Sequence, residues 1–325
     1  MRALELQAYG GQPRLANKPV PRPGPGEVLV RIAAAPIHPA DVAFLLGLYG
    51  VKKPLPVVPG IEGSGTVVAA GPGLIPRLLL GRRVGCVSST KRDGTWAEYM
   101  VTKATMCVPL LKSVSLEQAA TMFVNPWTAW AFFDIARRGR HNAIIHTAAA
   151  SALGRMMLRR GLRLHYPIVH VVRRREQADF LGSLGAMHVL NSSDPDFDTR
   201  LRDLCHQLGA TLAFDPVAGE MTGRVLTAMP HDGRVVVYGA LSDSNCTVLP
   251  GQLIFKQKRI EGFWLPDWNS RLNIIVRWRT AFSIQRLLAT DLQTEVHARV
   301  PLQEAVAGIA TYMREMSKGK VLIMP

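Results

Sequence analysis

Two features near the middle of the chain have residue types and a spacing suited to binding an anion. Residues 148–154 form a turn of small side chains between a strand-like segment and a helical pattern, and Arg173, Arg174 and Arg175 follow the next strand-like segment. The first N–H groups of a helix attract a pyrophosphate, and arginine pairs with phosphate where the second strand ends. Because no acid stands there to accept from a ribose 2′-hydroxyl, the pattern predicts an NADPH site.

The turn departs from the glycine-rich pattern that is usual before such a helix. Only Gly154 remains of a G-x-G-x-x-G motif, although small residues still permit close backbone approach. Each motif has an alternative interpretation. The turn fits a well-packed strand-to-helix connection, and the arginines fit a solvated basic helix start. Three arginines cannot all face one phosphate. The predicted cofactor contacts in this region are Ser151, Ala152, Leu153, Gly154, Arg173, Arg174 and Arg175.

The composition describes a folded protein with a large positive charge. The 325 residues give room for two domains, and 48% of them are hydrophobic. Lys and Arg total 39 against 24 Asp and Glu, a net charge of +15 that attracts NADPH, coenzyme A thioesters or acidic acyl carrier proteins. Without zinc-finger spacing, a basic zipper or an aromatic RNA-binding signature, we expect no specific nucleic-acid partner.

Cysteine usage and the apolar runs indicate a reducing compartment and no membrane segment. The four cysteines, at 86, 107, 205 and 246, form no C-x-x-C pair, which argues against a disulfide framework or a cysteine-rich zinc lobe. Apolar runs end well short of a bilayer span, and the strand-like start at 1–6 carries no signal or transit peptide. We therefore expect a cytoplasmic protein.

The pattern of the chain changes near Ser115. Before that point, the turn-rich residues 1–118 predict an all-β region, with strands over 27–32, 60–68, 81–87 and 95–101. After it, helices alternate with strands, which predicts a parallel sheet with right-handed crossovers. Those strands are expected over 143–147, 168–172, 187–190, 211–215 and 233–238, with a closing helix over 302–316 and a last strand over 320–324.

Three blocks of the first part resemble the medium-chain dehydrogenase/reductase superfamily. They are PGPGEVLV at 23–30, GIEGSG at 60–65 and DGTWAEY at 93–99. The resemblance implies an α/β fold with two domains. A GroES-like β-rich catalytic domain would cover 1–118 and 290–325, and a Rossmann-type nucleotide-binding domain with a doubly wound parallel sheet would cover 119–289.

The expected positions of zinc ligands set this chain apart within the superfamily. Zinc alcohol dehydrogenases place a cysteine and a histidine where this chain has PIHP at 36–39 and Ile61. A catalytic zinc needs three protein ligands, and no such set is evident, so we expect chemistry without a metal. His38 as a lone zinc ligand is less favoured than a loop histidine that hydrogen-bonds near the nicotinamide or to water.

Three further segments are similar to the mitochondrial-type 2-enoyl thioester reductases. The segment 35–50 resembles that family's A-P-I-N-P-S-D…G-x-Y-G loop, with His38 in place of the usual asparagine. Residues 253–268 resemble its L-I-F-K…G-F-W-L-x-x-W run, and 125–129 fit N-P-x-T-A. Quinone oxidoreductases share the superfamily blocks and a similar early loop, but they match the Phe-Trp-Leu run less well.

The resemblance implies a reaction and residues for it. In that family a hydride passes from NADPH to the β-carbon of the thioester, and a tyrosine donates a hydrogen bond to the thioester oxygen, where negative charge develops. That tyrosine corresponds to Tyr49, for which an exposed aromatic without a catalytic role is the alternative. Phe263 and Trp264 have two alternatives to a cofactor contact, which are to line an acyl channel or to pack in the core. The further candidate cofactor contacts are His38, Asn125, Thr128, Tyr238, Phe263 and Trp264.

Three functions remain open at this stage. The favoured one is an enoyl-thioester reductase whose acyl group is carried by coenzyme A or an acyl carrier protein. The second is an NADPH quinone or alkenal oxidoreductase, and the third is a non-catalytic NADPH-binding protein whose basic surface docks a partner. Because the superfamily is commonly dimeric, the resemblance also implies a homodimer.

Overall fold

The computed structural model describes residues 1–325. No helix in it is both long enough and apolar enough to cross a membrane. Its strands are β1 (Arg2–Glu5), β2 (Arg14–Asn17), β3 (Glu27–Pro36), β4 (Glu62–Ala70), β5 (Arg83–Val87), β6 (Tyr99–Lys103), β7 (Cys107–Pro109), β8 (Ile144–His146), β9 (Ile168–Val172), β10 (His188–Asn191), β11 (Leu212–Asp215), β12 (Arg234–Val237), β13 (Arg259–Gly262), β14 (Val296–Pro301) and β15 (Lys320–Met324). Its α-helices are α1 (Pro39–Leu45), α2 (Leu74–Leu79), α3 (Leu116–Ala120), α4 (Asn125–Arg138), α5 (Ala152–Leu164), α6 (Arg175–Ser183), α7 (Phe197–Leu208), α8 (Glu220–Ala228), α9 (Pro250–Ile254), α10 (Leu265–Ser270), α11 (Ile274–Leu287) and α12 (Ala305–Arg314).

Contacts within the chain divide it into two compact units. The first unit comprises Met1–Pro126, Arg279–Ala289 and Gln293–Pro325. The second comprises Trp127–Trp278 and Thr290–Leu292. Both units combine segments that are distant in sequence, whereas the prediction placed distant segments only in the catalytic domain.

The first unit extends beyond the predicted catalytic domain, whose first segment ended at residue 118. Residues 119–126 belong to it, and among them the Phe123 N–H donates to the Glu62 carboxylate at 2.7 Å. Residues 279–289 join the same unit. A unit defined by contacts and a domain defined by function are different divisions of a chain, so the domain boundaries stay a prediction.

A seven-stranded sheet forms the framework of the first unit. Its order is β14-β15-β3-β4-β5-β7, and β6 also pairs with β3. Neighbouring strands are antiparallel except for β14 and β15. Glycine is required within β4, because a Cβ on Gly65 would lie 2.0 Å from the Arg31 carbonyl oxygen of β3. The β-rich character predicted for this part of the chain is confirmed.

Two short helices and a shortened strand correct the all-β prediction for residues 1–118. Helix α1 begins with Pro39, which suits a first helical turn because the missing N–H would have no acceptor there. Helix α2 follows β4. Strand β6 begins at Tyr99, later than predicted, because the Trp96 backbone bonds to Pro59 and Leu4 instead.

The second unit is a six-stranded parallel sheet with helices between its strands. The order is β10-β9-β8-β11-β12-β13. Numbered within this unit, that order is 3-2-1-4-5-6, which is the order of doubly wound dinucleotide-binding folds. The five strands predicted from the alternating pattern are confirmed as β8 to β12. The sixth, β13, was missed because its sequence, RIEG, is short and polar.

Candidate functional site

The turn between β8 and α5 is closed by its own side chains and backbone. Ser151 caps α5, and its hydroxyl oxygen accepts from the Gly154 N–H at 3.1 Å. A Cβ on Gly154 would lie 2.0 Å from the Ala149 carbonyl oxygen, so only glycine fits there. Ala148 has a left-handed backbone with φ of 49°, a conformation that glycine adopts at lower cost. The turn therefore keeps the geometry of a glycine-rich motif with a single glycine.

The start of α5 offers donors to an anion. The first N–H groups of a helix have no acceptor within it, and the positive end of the helix dipole lies at the same place. Ala152 and Leu153 are the first residues of α5, and neither has a polar side chain that could accept from those groups. A pyrophosphate would fit this position chemically.

The three arginines lie at the same sheet edge as this turn. β8 and β9 are parallel neighbours, so their carboxyl ends meet at one edge. Arg173, Arg174 and Arg175 follow the last residue of β9 and are all exposed. The Arg173 backbone is held in place, because its carbonyl oxygen accepts from the Ser193 hydroxyl at 3.0 Å. The structure thus brings the predicted turn and the predicted arginines together.

A buried aspartate that sequence reasoning missed stands at the end of the neighbouring strand β11. Asp215 accepts from the Thr147 hydroxyl at 2.5 Å and from the Thr222 hydroxyl at 2.7 Å. The Val217 N–H donates to the same carboxylate at 2.9 Å. Asp215 therefore fixes the end of β8, directly before the small-residue turn. Its signal in the sequence was an acid at the carboxyl end of a buried strand.

Two of the three aromatic candidates of the second unit, Tyr238 and Phe263, belong to one packed cluster. The Tyr238 hydroxyl is 2.9 Å from His146 Nε2. The Phe132 ring contacts Tyr238 and Phe263 edge-on, with ring centroids 5.0 Å and 5.1 Å apart. Phe263 thus has the packing role weighed for it from the sequence, whereas Trp264 is 45% exposed. Contacts of these residues with a cofactor stay a prediction.

Asn125 and Thr128 lie on the first turn of α4. Asn125 is half-buried and Thr128 is buried, with 6% of its surface exposed. The predicted N-P-x-T-A helix start is confirmed as a helix. The proposed proximity of these side chains to a nicotinamide stays a prediction.

Tyr49 lies in the loop after α1, and that loop folds back onto the helix. The Ala43 carbonyl oxygen accepts from the Leu48 N–H at 2.8 Å and from the Tyr49 N–H at 3.2 Å. Gly47 makes the turn with φ of +73°, and a Cβ there would lie 3.0 Å from the Cβ of Tyr9. The half-buried Tyr49 ring packs against the core of the first unit.

Tyr9 holds the chain beyond Tyr49. Its hydroxyl accepts from the Lys53 N–H at 2.7 Å and donates to the Lys53 carbonyl oxygen at 2.9 Å. The Tyr9 ring also meets the Phe44 ring of α1 edge-on, with centroids 5.6 Å apart. The loop that carries Tyr49 is therefore anchored on both sides.

At the other end of α1, a lysine ammonium is buried with all its donors bonded. Lys320 Nζ donates to His38 Nδ1 at 2.8 Å, to the Ile37 carbonyl oxygen at 3.0 Å and to the Tyr312 hydroxyl at 3.2 Å. Lys320 is 2% exposed. Since an ammonium has three N–H groups and no lone pair, these three acceptors saturate it.

This arrangement determines which nitrogen of His38 carries the proton. Because Nδ1 accepts from Lys320, Nε2 carries the hydrogen of a neutral ring and donates to Glu62 Oε1 at 2.6 Å. The other Glu62 oxygen accepts from the Phe123 N–H. His38, predicted to contact the cofactor, thus has both ring nitrogens engaged by protein groups and is 1% exposed.

Burial dominates the electrostatics of this cluster. It lowers the pKa of His38 well below its ordinary value, helped by the Lys320 charge. Burial also lowers the pKa of Lys320, although the negative charges of Glu62 and Asp41 act in the opposite direction. It raises the pKa of both of these carboxyl groups. Neutral His38 therefore bridges an ammonium and a carboxylate. Sequence spacing carried no signal for this contact, because Lys320 and His38 are 282 positions apart.

Two protein-family models match the chain. The one described as the alcohol dehydrogenase GroES-like domain matches residues 24–112, within the first unit. The one described as zinc-binding dehydrogenase matches residues 157–280, most of which lie in the second unit. No group of three or more His, Cys, Asp or Glu side chains in the chain is arranged to hold a metal ion.

Individual relatives include proteins named enoyl-[acyl-carrier-protein] reductases and a protein described as a quinone reductase. The mitochondrial enoyl-[acyl-carrier-protein] reductase of Arabidopsis thaliana is 31% identical over 265 residues, which cover 79% of this chain and 69% of that protein. The enzyme of the same name from Xenopus tropicalis is 32% identical over 265 residues, which cover 78% of this chain and 73% of that protein. Among solved structures, a Mesorhizobium loti protein described as an NADPH:quinone reductase is 35% identical, with a TM-score of 0.94 and coverage of 100% and 98%.

Proposed function

Because this chain belongs to the medium-chain dehydrogenase/reductase superfamily, among its zinc-free members, we propose that it catalyses NADPH-dependent reduction of the carbon–carbon double bond of a 2-enoyl thioester. The superfamily is one of oxidoreductases. The relatives named enoyl-[acyl-carrier-protein] reductases support the thioester as substrate class. The acyl group would be carried by coenzyme A or by an acyl carrier protein, and we expect a homodimer.

The observation that carries the proposal is the anchored loop that holds Tyr49. A hydrogen-bond donor stabilises a developing oxyanion best when it is held in place before the reaction. The Ala43 carbonyl oxygen and the Tyr9–Lys53 contacts hold the backbone on both sides of Tyr49. The loop thus has the rigidity that such a donor requires.

The chain's own residues supply binding and charge stabilisation. When bound, the nicotinamide supplies the hydride that reaches the β-carbon of the substrate. The Tyr49 hydroxyl would donate to the thioester oxygen as negative charge develops on it. One well-placed donor of this kind contributes roughly 10²–10³ in rate.

The second unit offers a chemically suitable place for the rest of the cofactor. The start of α5 would bind the pyrophosphate through backbone N–H groups. One or two of Arg173, Arg174 and Arg175 would pair with the 2′-phosphate, which favours NADPH over NADH. Their exposed positions at the end of β9 support this assignment.

The test follows NADPH absorbance with crotonyl-CoA, a longer 2-enoyl-CoA and a simple quinone, for the native protein and Tyr49→Phe. We expect rapid oxidation with the thioesters and a loss of roughly 10²–10³ in kcat in the variant. Tyr99→Phe, which changes another half-buried tyrosine of the first unit, is the matched control and should keep full activity.

Quinone reduction is the second candidate, favoured by the likeness to the Mesorhizobium loti protein along the whole chain. Turnover of quinone alone, at the same rate in Tyr49→Phe, would support it and refute enoyl reduction. Thioester turnover that depends on Tyr49 would support the first candidate.

A further inference from the structure

Three buried side chains of the first unit, Lys320, His38 and Glu62, take no part in the proposed reaction. We call them the Lys320 triad. All three are at most 2% exposed, and they form a continuous row of hydrogen bonds from ammonium to imidazole to carboxylate. A buried ion pair is weak evidence for stability, because apolar replacements are often as stable. Its better-supported role is to select one arrangement of the chain among several.

The triad joins segments that are far apart in the sequence. Lys320 is the first residue of β15, and Glu62 is the first residue of β4. Lys320 bonds to both residues that directly precede α1, through the Ile37 carbonyl oxygen and the His38 ring. The N-terminal end of α1 is thereby fixed to two strands of the sheet.

Asp41 makes this attachment rigid. Its carboxylate accepts from the His38 N–H at 2.9 Å and from the Ile61 N–H at 3.1 Å. The first turn of α1 is thus bonded to the residue before β4 as well as to its own cap. Rotation of the helix would break these hydrogen bonds inside a buried region, where unpaired groups are costly.

Helix α1 connects the triad to Tyr49. It has seven residues, no glycine, and a proline only at its first position, so it has no feature that would kink it. Near its other end, the Ala43 carbonyl oxygen accepts from the Tyr49 N–H. A displacement at one end of so short a helix therefore moves the other end.

We propose that Lys320, His38 and Glu62 are positioning residues, which hold α1 in the orientation that presents the Tyr49 phenol to its substrate. The predicted effect on turnover rests on the proposed function. The predicted effect on the surroundings of Tyr49 does not, and it can be measured without substrate.

The test labels the chain with 3-fluorotyrosine and records its fluorine NMR spectrum. The chain has six tyrosines, and the resonance of Tyr49 is the one that disappears in Tyr49→Phe. The variant of interest is Lys320→Met, which keeps the length of the side chain and removes the charge. The matched control is Lys258→Met, since Lys258 is also buried and its ammonium also has three acceptors, in the second unit.

In Lys320→Met we expect the Tyr49 resonance to shift or broaden, while Lys258→Met leaves it in place. If the chain reduces 2-enoyl thioesters, kcat of Lys320→Met should fall by roughly 10–100-fold, because a small misplacement of a positioned group has effects of that size. KM for the thioester should change far less than kcat, since the substrate-binding groups remain.

A milder variant covers the case in which Lys320→Met fails to fold. Tyr312→Phe removes one acceptor of the Lys320 ammonium and leaves every charge of the triad in place. We expect it to shift the Tyr49 resonance in the same direction by a smaller amount.

An unchanged Tyr49 resonance in folded Lys320→Met or Tyr312→Phe would overturn the proposal. So would an equal change in Lys258→Met, because the effect would then be general loss of stability. A native protein that leaves 2-enoyl thioesters unreduced refutes the proposed function alone, and the NMR comparison still decides the positioning role.

Discussion

At the level of single residues, the exposed arginines at the end of β9 are the best candidates for cofactor choice. Arg173 directly follows β9 and Arg175 is the first residue of α6, at the edge where the first and second strands of a dinucleotide-binding sheet both end. Since guanidinium pairs with phosphate through two parallel hydrogen bonds, a 2′-phosphate would gain contacts that a 2′-hydroxyl lacks.

We predict that Arg173→Ser or Arg175→Ser raises KM for NADPH by roughly 10–100-fold, because a hydrogen bond to a charged group contributes about 1.5–3 kcal/mol. KM for NADH should stay the same. Steady-state kinetics with both cofactors measures the effect, and Arg137→Ser, an exposed arginine of α4, is the control. An equal rise in KM for NADPH and for NADH would contradict the assignment of these arginines to the 2′-phosphate.

His38 shows how context decides the role of a residue. From the sequence it is a loop histidine expected near a nicotinamide or water. In the structure both its ring nitrogens are bonded to buried charged groups, and burial keeps it neutral by lowering its pKa. The Lys320 ammonium beside Nδ1 and the Glu62 carboxylate beside Nε2 determine which ring nitrogen accepts and which donates.

At the level of elements, β4 and β15 each begin with a buried ionisable residue. Burial raises the pKa of Glu62. The hydrogen bond from the Phe123 N–H and the charge of Lys320 lower this pKa, but they offset the rise only in part. Below this raised pKa, which lies at about 8, the folded chain retains on Glu62 a proton that the unfolded chain has released, and the carboxylate bonded to His38 is the form present above it. Stability from this group is present at low pH and is lost as pH rises through the folded pKa.

We accordingly predict that the native free energy of unfolding, measured relative to that of Glu62→Gln, decreases as pH rises from about 5 to about 8. Urea denaturation at several pH values measures the slope. Glu304→Gln, at an exposed glutamate of the same unit, should keep the native slope. Identical slopes for the native protein and Glu62→Gln would exclude this titration as the cause.

At the level of the whole molecule, the net charge of +15 should act on the rate at which anionic substrates bind. Coenzyme A thioesters carry several negative charges, whereas a crotonyl-pantetheine thioester carries none. The positive field of the protein accelerates association of the coenzyme A thioester and has no effect on the uncharged pantetheine thioester. At 0.1 M salt this field is screened beyond about 10 Å.

We predict that kcat/KM for crotonyl-CoA falls several-fold as ionic strength rises from about 20 to about 200 mM, with NADPH saturating. Crotonyl-pantetheine, assayed in the same buffers, should change little. A parallel decline for both substrates would assign the salt effect to the protein's folded state instead of to steering.

The sequence by itself determined the features that depend on neighbouring residues. Alternating strand and helix patterns located β8 to β12 and predicted their parallel sheet, and the small-residue turn located the start of α5. These are governed by local periodicity and turn chemistry, which act over a few positions. Short elements such as α1 and β13 carry too few residues for a periodic signal, and they were missed.

Only the tertiary structure decided which distant side chains meet. The sheet order places β15 beside β3 and β3 beside β4, and this brings Lys320 to His38 and Glu62. Likewise, the pairing of β8 with β11 brings Asp215 to Thr147. The energy of such contacts depends on burial and on exact donor and acceptor geometry, which spacing along the chain does not encode.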